Sequence, residues 1–319
     1  MATPSRPPAI TAAGLRKSFG EHVVLDGIDL HVQRGTVFSL LGANGAGKTT
    51  TVKILSTLLT ADAGTAAVAG HDLATDPDGV RGAIGVTGQF SAVDNLFTGR
   101  ENLLLMADLH HLDRAEGRRR ADDLLERFDL TEAAGKTAAT YSGGMRRRLD
   151  LAMTLVGDPE VIFLDEPTTG LDPRARLRMW EIVRGLVAHG VTIFLTTQYL
   201  DEADELADRI AVLNAGRVVA EGTAEELKRR IPGGHVELRF ADAREFDAAA
   251  RVLANASGDE DALTLRVPSD GDVHSLRTLL TRLDDERVAV EALNLHTPDL
   301  DDVFLALTGN PTHEKAPIR

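Results

Sequence analysis

Apolar residues change their spacing along this chain, and each change marks an element. Between Ile10 and Leu41 they form short β-type runs, HVVLDGIDLHV and TVFSLLG, separated by Gly20, Gly27 and the pair Arg34-Gly35. The last run empties into a glycine-rich loop. From Thr49 the spacing becomes helical in TTVKILSTLL, so a strand, a loop and a helix follow one another. Between Glu101 and Leu130 the helical pattern is heavily charged and closes with the amphipathic RRRADDLLERFDL, which predicts an inserted helical subdomain over residues 90–150. Then come a helix, the strand VIFLDE, the helix PRARLRMWEIVRGLVAHG, the strand VTIFLTT and a further strand over IAVLNAGRVVAEG. Strands and helices that alternate in this way predict a largely parallel, helix-covered sheet of the α/β class.

The composition changes at Pro232-Gly233-Gly234, which predicts a domain boundary. The larger domain then spans residues 10–231, and a small α+β domain spans 235–309. In the latter, HVELRF, ALTLRVP and VAVEALNLH read as strands between the helices AREFDAAARVLANA, DVHSLRTLLTRLDDE and LDDVFLALTG. In the last of these, Leu300, Val303, Phe304 and Leu307 form an apolar stripe, which packs inside its own domain or braces another surface. Residues 1–9, with Pro4, Pro7 and Pro8, and residues 310–319 read as loose tails.

Charge and composition then remove whole classes of function. A formal charge of -14 leaves no dominant basic face, so nucleic acid is not an expected partner. No stretch approaches the roughly 18 apolar residues of a membrane span, and MATPSRPP lacks the apolar core of a signal peptide, so a soluble cytosolic chain is expected. With no cysteine, disulfides, thiolate metal sites and cysteine nucleophiles are excluded. The histidines, His110, His111 and His189 among them, lack metal-ligand spacing and read as surface or core residues.

Two segments suited to phosphate carry the chemistry. The first, GANGAGKTT at Gly42 to Thr50, fits G-x-x-x-x-G-K-S/T between a strand and a helix. Gly42, Gly45 and Gly47 let the backbone turn its N–H groups toward β- and γ-phosphates, and Asn44 and Thr50 belong to the same nucleotide-binding loop. Lys48 supplies the positive charge. Thr49 offers a hydroxyl to Mg²⁺, and Asp165, at the end of an apolar strand, would hold the same ion. Glu166 follows directly and is the candidate general base for the attacking water. Gln89, in GVTGQF after another apolar strand, could touch Mg²⁺ or that water.

In the second segment, YSGGM, residues Ser142, Gly143 and Gly144 open a helix with a hydroxyl and unobstructed N–H groups. They are either a plain helix cap or a cradle for ATP held by a second copy of the chain. In the latter case Asp172, in TGLDP, sits at the seam of the pair. Arg146 to Arg148 are either an ion-paired helix face or phosphate contacts. Phe19 is either a core residue or an aromatic that stacks on adenine.

With these segments in this order, the chain resembles the nucleotide-binding subunits of ATP-binding-cassette transporters over Ile10 to Leu227. The segments VTGQFSAVDNLFTGREN, YSGGMRRRLDLA, LTTQYLDEADELADRIAV and LDDVFLALTG make it most similar to the ATPase subunits of daunorubicin/doxorubicin-resistance exporters. That resemblance implies a P-loop NTPase fold and Mg²⁺-dependent ATP hydrolysis by a dimer. It also implies a separate ABC-2-type membrane permease engaged near Phe90 to Glu101, a peripheral place on the cytoplasmic side of the membrane, and efflux of an antibiotic or similar hydrophobic drug. Export of a lipid or another amphiphile is the alternative, and a soluble cassette acting on ribosomes or nucleic acid is disfavoured by the single cassette and the negative charge. Two departures from the wider family stand out. YSGGM replaces LSGGQ, and Gln198 stands where most cassettes place the histidine that bridges γ-phosphate and catalytic glutamate. An amide donates a hydrogen bond and cannot become a cation, so Gln198 is expected to act as a switch residue supporting slower hydrolysis.

Overall fold

The computed structural model describes residues 7–88, 92–230, 234–253, 255–269, 273–296 and 298–309. Gln89 and Phe90 therefore lie outside the described residues, as do Pro232 and Gly233. The chain divides into two compact units, Met1–Ala224 and Glu225–Arg319.

In chain order the first unit contains β1 (Ile10–Phe19), β2 (His22–Val32), β3 (Val37–Leu41), α1 (Lys48–Leu55), β4 (Ala63–Val68), β5 (His71–Asp72), α2 (Pro77–Ala83) and β6 (Ile84–Thr87). It continues with α3 (Gly99–Leu109), α4 (Arg114–Arg127), α5 (Gly143–Thr154), β7 (Val161–Asp165), α6 (Pro173–Ala188), β8 (Thr192–Thr197), α7 (Leu200–Leu206), β9 (Arg209–Asn214) and β10 (Arg217–Gly222). Six strands form the central sheet in the order β10-β9-β3-β8-β7-β6. All neighbours in it run parallel except β9 and β10. Of the first β-type runs, TVFSLLG enters that sheet as β3 and HVVLDGIDLHV does not: as β2 it joins β1, β4 and β5 in a separate antiparallel sheet in the order β2-β1-β4-β5. Hydrophobic spacing alone carries no information about which strands share a ladder.

Every residue of β3, β7 and β8 is buried, as expected of parallel strands covered on both faces. Alternate side chains enter two cores. Phe38, Phe163 and Phe194 pack with Val52, Ile54 and Leu55 of α1, the Phe38 and Phe194 rings stacking at 5.6 Å. Ile162, Leu164, Ile193 and Leu195 face the opposite way, toward Leu149 and Met153 of α5 and Trp180 and Val183 of α6. The run IAVLNAGRVVAEG, expected as one strand, is the hairpin β9–β10, folded at Ala215 and Gly216 with φ of 46° and 76°. Two consecutive left-handed residues make the tight turn that joins antiparallel strands.

Helix starts follow side-chain caps. Thr98 and Glu101 form a capping box at α3, Asp113 caps α4, Ser142 caps α5, and Asp172 followed by Pro173 caps α6. In α7, Glu202 is fully buried, and Trp180 Nε1 donates to its Oε1 at 3.2 Å. Burial pushes this carboxyl above its ordinary value of 4.5, opposed by Thr197, Thr168 and Trp180 and assisted by Asp201. The Glu202 charge in turn favours the charged form of the Arg147 guanidinium in α5.

Because the folded chain holds the Glu202 proton more tightly than the unfolded chain, this group favours folding below about pH 4.5, and its contribution is lost as pH rises through the folded value. Each unit of upward shift costs about 1.4 kcal/mol once both states are ionised. Glu202→Gln is therefore expected to melt at or above the wild type near pH 8, with the advantage shrinking toward pH 4.5. Thermal melts across that range check it.

The helix α8 (Ala224–Arg229) starts at the division and opens the second unit. That unit contains β11 (His235–Arg239), α9 (Ala243–Val252), β12 (Ser257–Asp259), β13 (Thr264–Pro268), α10 (Val273–Asp285), β14 (Ala292–His296) and α11 (Leu300–Thr308). Its antiparallel sheet has the order β12-β13-β11-β14 and packs Val236, Leu238 and Leu265 against Phe246, Leu279 and Leu283. The run VAVEALNLH is a strand only from Ala292, and β12 carried no apolar signal. Leu300 and Val303 of α11 are buried, and Phe304 and Leu307 are half-buried.

Candidate nucleotide site

Parallel strands deliver their carboxyl ends to one edge of a sheet, where loops between strand and helix collect chemistry. Here β3 and β8 are in register at Leu41 and Thr197, and β7 and β8 at Asp165 and Thr196. That alignment puts the loop after β3, the Asp165-Glu166 pair and Gln198 side by side. The strand β6 lies next to β7 and leads to Gly88, beyond which Gln89 is outside the described residues.

The loop from Gly42 to Lys48 is anchored at both ends. Gly42 N donates to Thr197 O at 3.2 Å, and Gly216 N donates to Ala46 O at 3.2 Å. Gly42 is required by space, since a Cβ there would fall 2.5 Å from Leu213 O. Gly47 has φ 112°, and its Cβ would lie 2.6 Å from Leu25 Cδ2 and 3.0 Å from Val24 O. This close approach brings β2 against the loop. Phe19 stands at the turn of the same hairpin, 52% exposed and 5.6 Å from Lys17 Nζ, which rules out the core reading.

Lys48 is buried. Its Nζ donates to Gly42 O at 2.8 Å and Ala43 O at 3.2 Å, and lies 3.2 Å from Glu166 Oε1. Glu166 has φ 50°, a left-handed conformation uncommon for a non-glycine residue. The strain is held by Glu166 N donating to Thr196 O and Oγ1 at 3.1 and 3.2 Å. Thr196 Oγ1 also donates to Asp165 Oδ1 at 2.5 Å. Thr49 and Thr50 are half-buried at the start of α1, and Asn44 and Gly45 are exposed on the loop.

Ser142, Gly143, Gly144 and Asp172 form another group. Ser142 Oγ accepts from Met145 N at 3.2 Å, Asp172 Oδ1 accepts from Ala175 N at 2.9 Å, and a Cβ on Gly144 would meet Ala175 Cβ at 3.0 Å. The N-termini of α5 and α6 are thus neighbours. No hydrogen bond or ion pair among the described residues joins this group to Lys48 or Thr49.

The sequence singled out neither Thr196 nor Asp150, and it left Arg147 between an ion-paired face and a phosphate contact. Thr196 was part of an apolar strand, and only the pairing with β7 brings its hydroxyl to Asp165. Arg147 and Asp150 lie on the buried side of α5 as an ion pair at 3.2 Å. Their i, i+3 spacing on a face otherwise filled by Leu151 and Met153 was the available signal. Burial lowers the Arg147 guanidinium from its ordinary value, countered by Asp150, Asp165 and Glu202.

Thr49 and Asp165 offer a hydroxyl and a carboxylate, which suit a hard cation such as Mg²⁺. Among the described residues no group of three or more His, Cys, Asp or Glu forms a complete metal cage. Such an ion would therefore share its ligands with phosphate and water, as nucleotide-bound Mg²⁺ does.

A glycine loop between a parallel strand and a helix, with a buried lysine and paired carboxylates on the neighbouring strand, defines a P-loop nucleoside triphosphatase. Residues 25–169 match the ABC transporter family, and residues 222–308 match the C-terminal domain of DrrA1-3-like ATP-binding proteins. Daunorubicin resistance ATP-binding protein DrrA3 of Streptomyces coeruleorubidus is 50% identical over 96% of this chain and 98% of its own. Nod factor export ATP-binding protein I of Ralstonia nicotianae is 38% identical over 95% of this chain and 94% of its own. A solved ATP-binding subunit of an ABC transporter matches at 30% identity and TM-score 0.63, covering 70% of this chain and 92% of that one. The chain belongs to the ATP-binding subunits of ABC transporters, in the group that carries the DrrA-type C-terminal domain.

Proposed function

We propose that this chain is the Mg²⁺-dependent ATPase of an exporter, driving efflux of an antibiotic or similar hydrophobic drug through a separate ABC-2-type permease and conferring resistance. The observation that carries this reading is half-identity, across nearly the whole of both chains, to a daunorubicin resistance ATP-binding protein. A second cargo class, a lipid or other amphiphile, is motivated by the similarity to a Nod factor export protein. No helix among the described residues is long and apolar enough to cross a membrane, in keeping with a peripheral subunit on the cytoplasmic side that borrows its membrane path.

In this reading residues 10–231 are the motor, and 235–309 brace the dimer or regulate assembly. Phe19 stacks on adenine. The loop carrying Gly42, Asn44, Gly45, Gly47 and Thr50 wraps the phosphates. Lys48 moves from Glu166 toward the β- and γ-phosphates, which frees the Glu166 carboxylate to take a proton from the attacking water. Thr49, Asp165 and Gln89 hold Mg²⁺, which supplies charge neutralisation at the transferring phosphoryl group. Ser142, Gly143, Gly144 and Asp172 serve the nucleotide of a second copy, in line with the lack of any hydrogen bond or ion pair among the described residues between them and Lys48. Closing on two ATP molecules moves the permease through the region between Phe90 and Glu101, and hydrolysis resets the pair.

Gln198 donates its amide to the γ-phosphate. Gln198→His is expected to raise turnover several-fold and to add a pH dependence near the imidazole range, at about pH 6.5. Steady-state ATPase assays across pH check both effects. For the exporter itself, the tagged chain is purified from mildly solubilised native membranes and copurifying proteins are identified by mass spectrometry. A polytopic membrane protein that raises ATP turnover supports the proposal. Recovery with ribosomes, or without a membrane partner, overturns it.

A further inference from the structure

The guanidinium of Arg147 sits where segments distant in sequence meet. Its Nε donates to Pro167 O at 3.0 Å, its Nη1 to Gly88 O at 3.0 Å and Asp150 Oδ2 at 3.2 Å, and its Nη2 to Asp165 O at 3.4 Å. The side chain is 12% exposed, and that of Asp150 only 3%. The other carboxylate oxygen of Asp150 accepts from Ala92 N at 2.9 Å. The neighbouring arginines are less fully bonded. Arg148 pairs with the exposed Asp129 at 3.3 Å, and Arg146 donates to Ala138 O at 3.4 Å. Both keep a buried Nε without a hydrogen-bond partner among the described residues, whereas every nitrogen of the Arg147 guanidinium is bonded.

The carbonyls of Asp165 and Pro167 flank Glu166, whose backbone is in the left-handed region. Gly88 and Ala92 flank the segment that contains Gln89. The Arg147–Asp150 pair thus grips the chain on both sides of two residues assigned to the hydrolytic step, and it does so from α5, the helix that Ser142 opens. A planar guanidinium with several N–H donors can satisfy diverging carbonyls at once, which a lysine ammonium on a flexible stem cannot reproduce.

We propose that Arg147 and Asp150 are a positioning pair that sets the backbone around Glu166 and ties it to the helix whose first residues meet the other copy's ATP. The inference rests on the two-copy ATPase reading above. A movement of α5 on engagement of Ser142, Gly143 and Gly144 would be carried by the guanidinium to the carbonyls of Asp165 and Pro167 beside Glu166. Each half of the dimer then completes its own hydrolytic geometry only when it holds its partner's nucleotide. Neither residue touches the nucleotide.

The test uses the purified full-length chain as wild type, Arg147→Lys, Arg147→Gln, Asp150→Asn, Glu166→Gln and the Arg147→Gln/Glu166→Gln double variant. Turnover and KM for Mg·ATP, binding of a fluorescent ATP analogue and thermal melting are measured for each, with single-turnover assays where the rate is low. Both Arg147 variants are expected to lose on the order of tenfold in kcat while binding the analogue as the wild type does. In the Glu166→Gln background, Arg147→Gln is expected to cost nothing further, because the group it positions is gone. Asp150→Asn keeps an oxygen for Ala92 and loses the charge that holds Arg147, so a smaller kcat loss is expected. It carries the same test if an Arg147 variant does not fold.

Wild-type kcat in the folded variants, a fall in analogue affinity that accounts for the lost rate, or an equal loss in both backgrounds overturns the proposal. Failure of the ATPase reading is distinct. It is seen as a wild type without Mg²⁺-dependent hydrolysis, or as Glu166→Gln at full rate.

Discussion

Glu166→Gln is expected to lower ATP turnover by about a thousandfold while ATP still binds, because a positioned general base contributes roughly 10²–10⁴ in rate and little to ground-state affinity. The substitution keeps the shape of the side chain and its place after β7, where Thr196 fixes the backbone N–H. What is lost is the carboxylate that accepts the proton. The amide also ends the ion pair with Lys48, leaving that ammonium to Gly42 O and Ala43 O and to phosphate. Bound ATP is then held without being cleaved, and the two-copy state is expected to accumulate. Phosphate release measured beside size-exclusion chromatography in Mg·ATP checks both parts. Turnover near the wild-type rate would remove Glu166 from the chemistry.

Lys48→Ala is expected to reduce kcat/KM for ATP by about a hundredfold or more, since removing one preorganised donor from developing phosphoryl charge costs about 2.7–4 kcal/mol. The lysine is buried at the start of α1, so no water-exposed cation can take its place cheaply. Unlike Glu166→Gln, this change is expected to weaken binding as well as turnover, because the ammonium meets phosphate in the ground state too. It also strands the largely buried Glu166 carboxylate, 13% exposed, without its cation. The free protein is therefore expected to melt lower than the wild type, and the Lys48→Ala/Glu166→Gln pair to recover part of that loss. Nucleotide titration and melts of the single and double variants separate the binding role from the structural one.

Glu166 and Lys48 stand out in the sequence by motif, whereas nothing in the sequence separates Arg147 from the arginines on either side of it. GANGAGKTT announces its function because a backbone cradle for phosphate tolerates few sequences. Gly42 and Gly47 are fixed by sterics that any chain making this turn must obey. Phe19 was ambiguous in sequence because an aromatic suits a core or an adenine equally. Its exposure at the turn between β1 and β2 removes the first option. Arg147 looked like a member of a charged triplet, and its burial depends on where β6 and β7 end relative to α5.

The sequence by itself determined the strand, glycine loop and helix of the first segment, the carboxylates at the end of an apolar strand, and the helix cap at Ser142. Each is local, written in residues close together along the chain and governed by dihedral preference and hydrophobic period. Only the tertiary structure decided that β9 and β10 are a hairpin, that β1, β2, β4 and β5 form their own sheet, and that Thr196 and Arg147 brace Asp165 and Glu166. Those facts depend on register between distant segments. Side-chain period says which face of a strand is buried, but the choice of neighbouring strand is made by packing of the whole core.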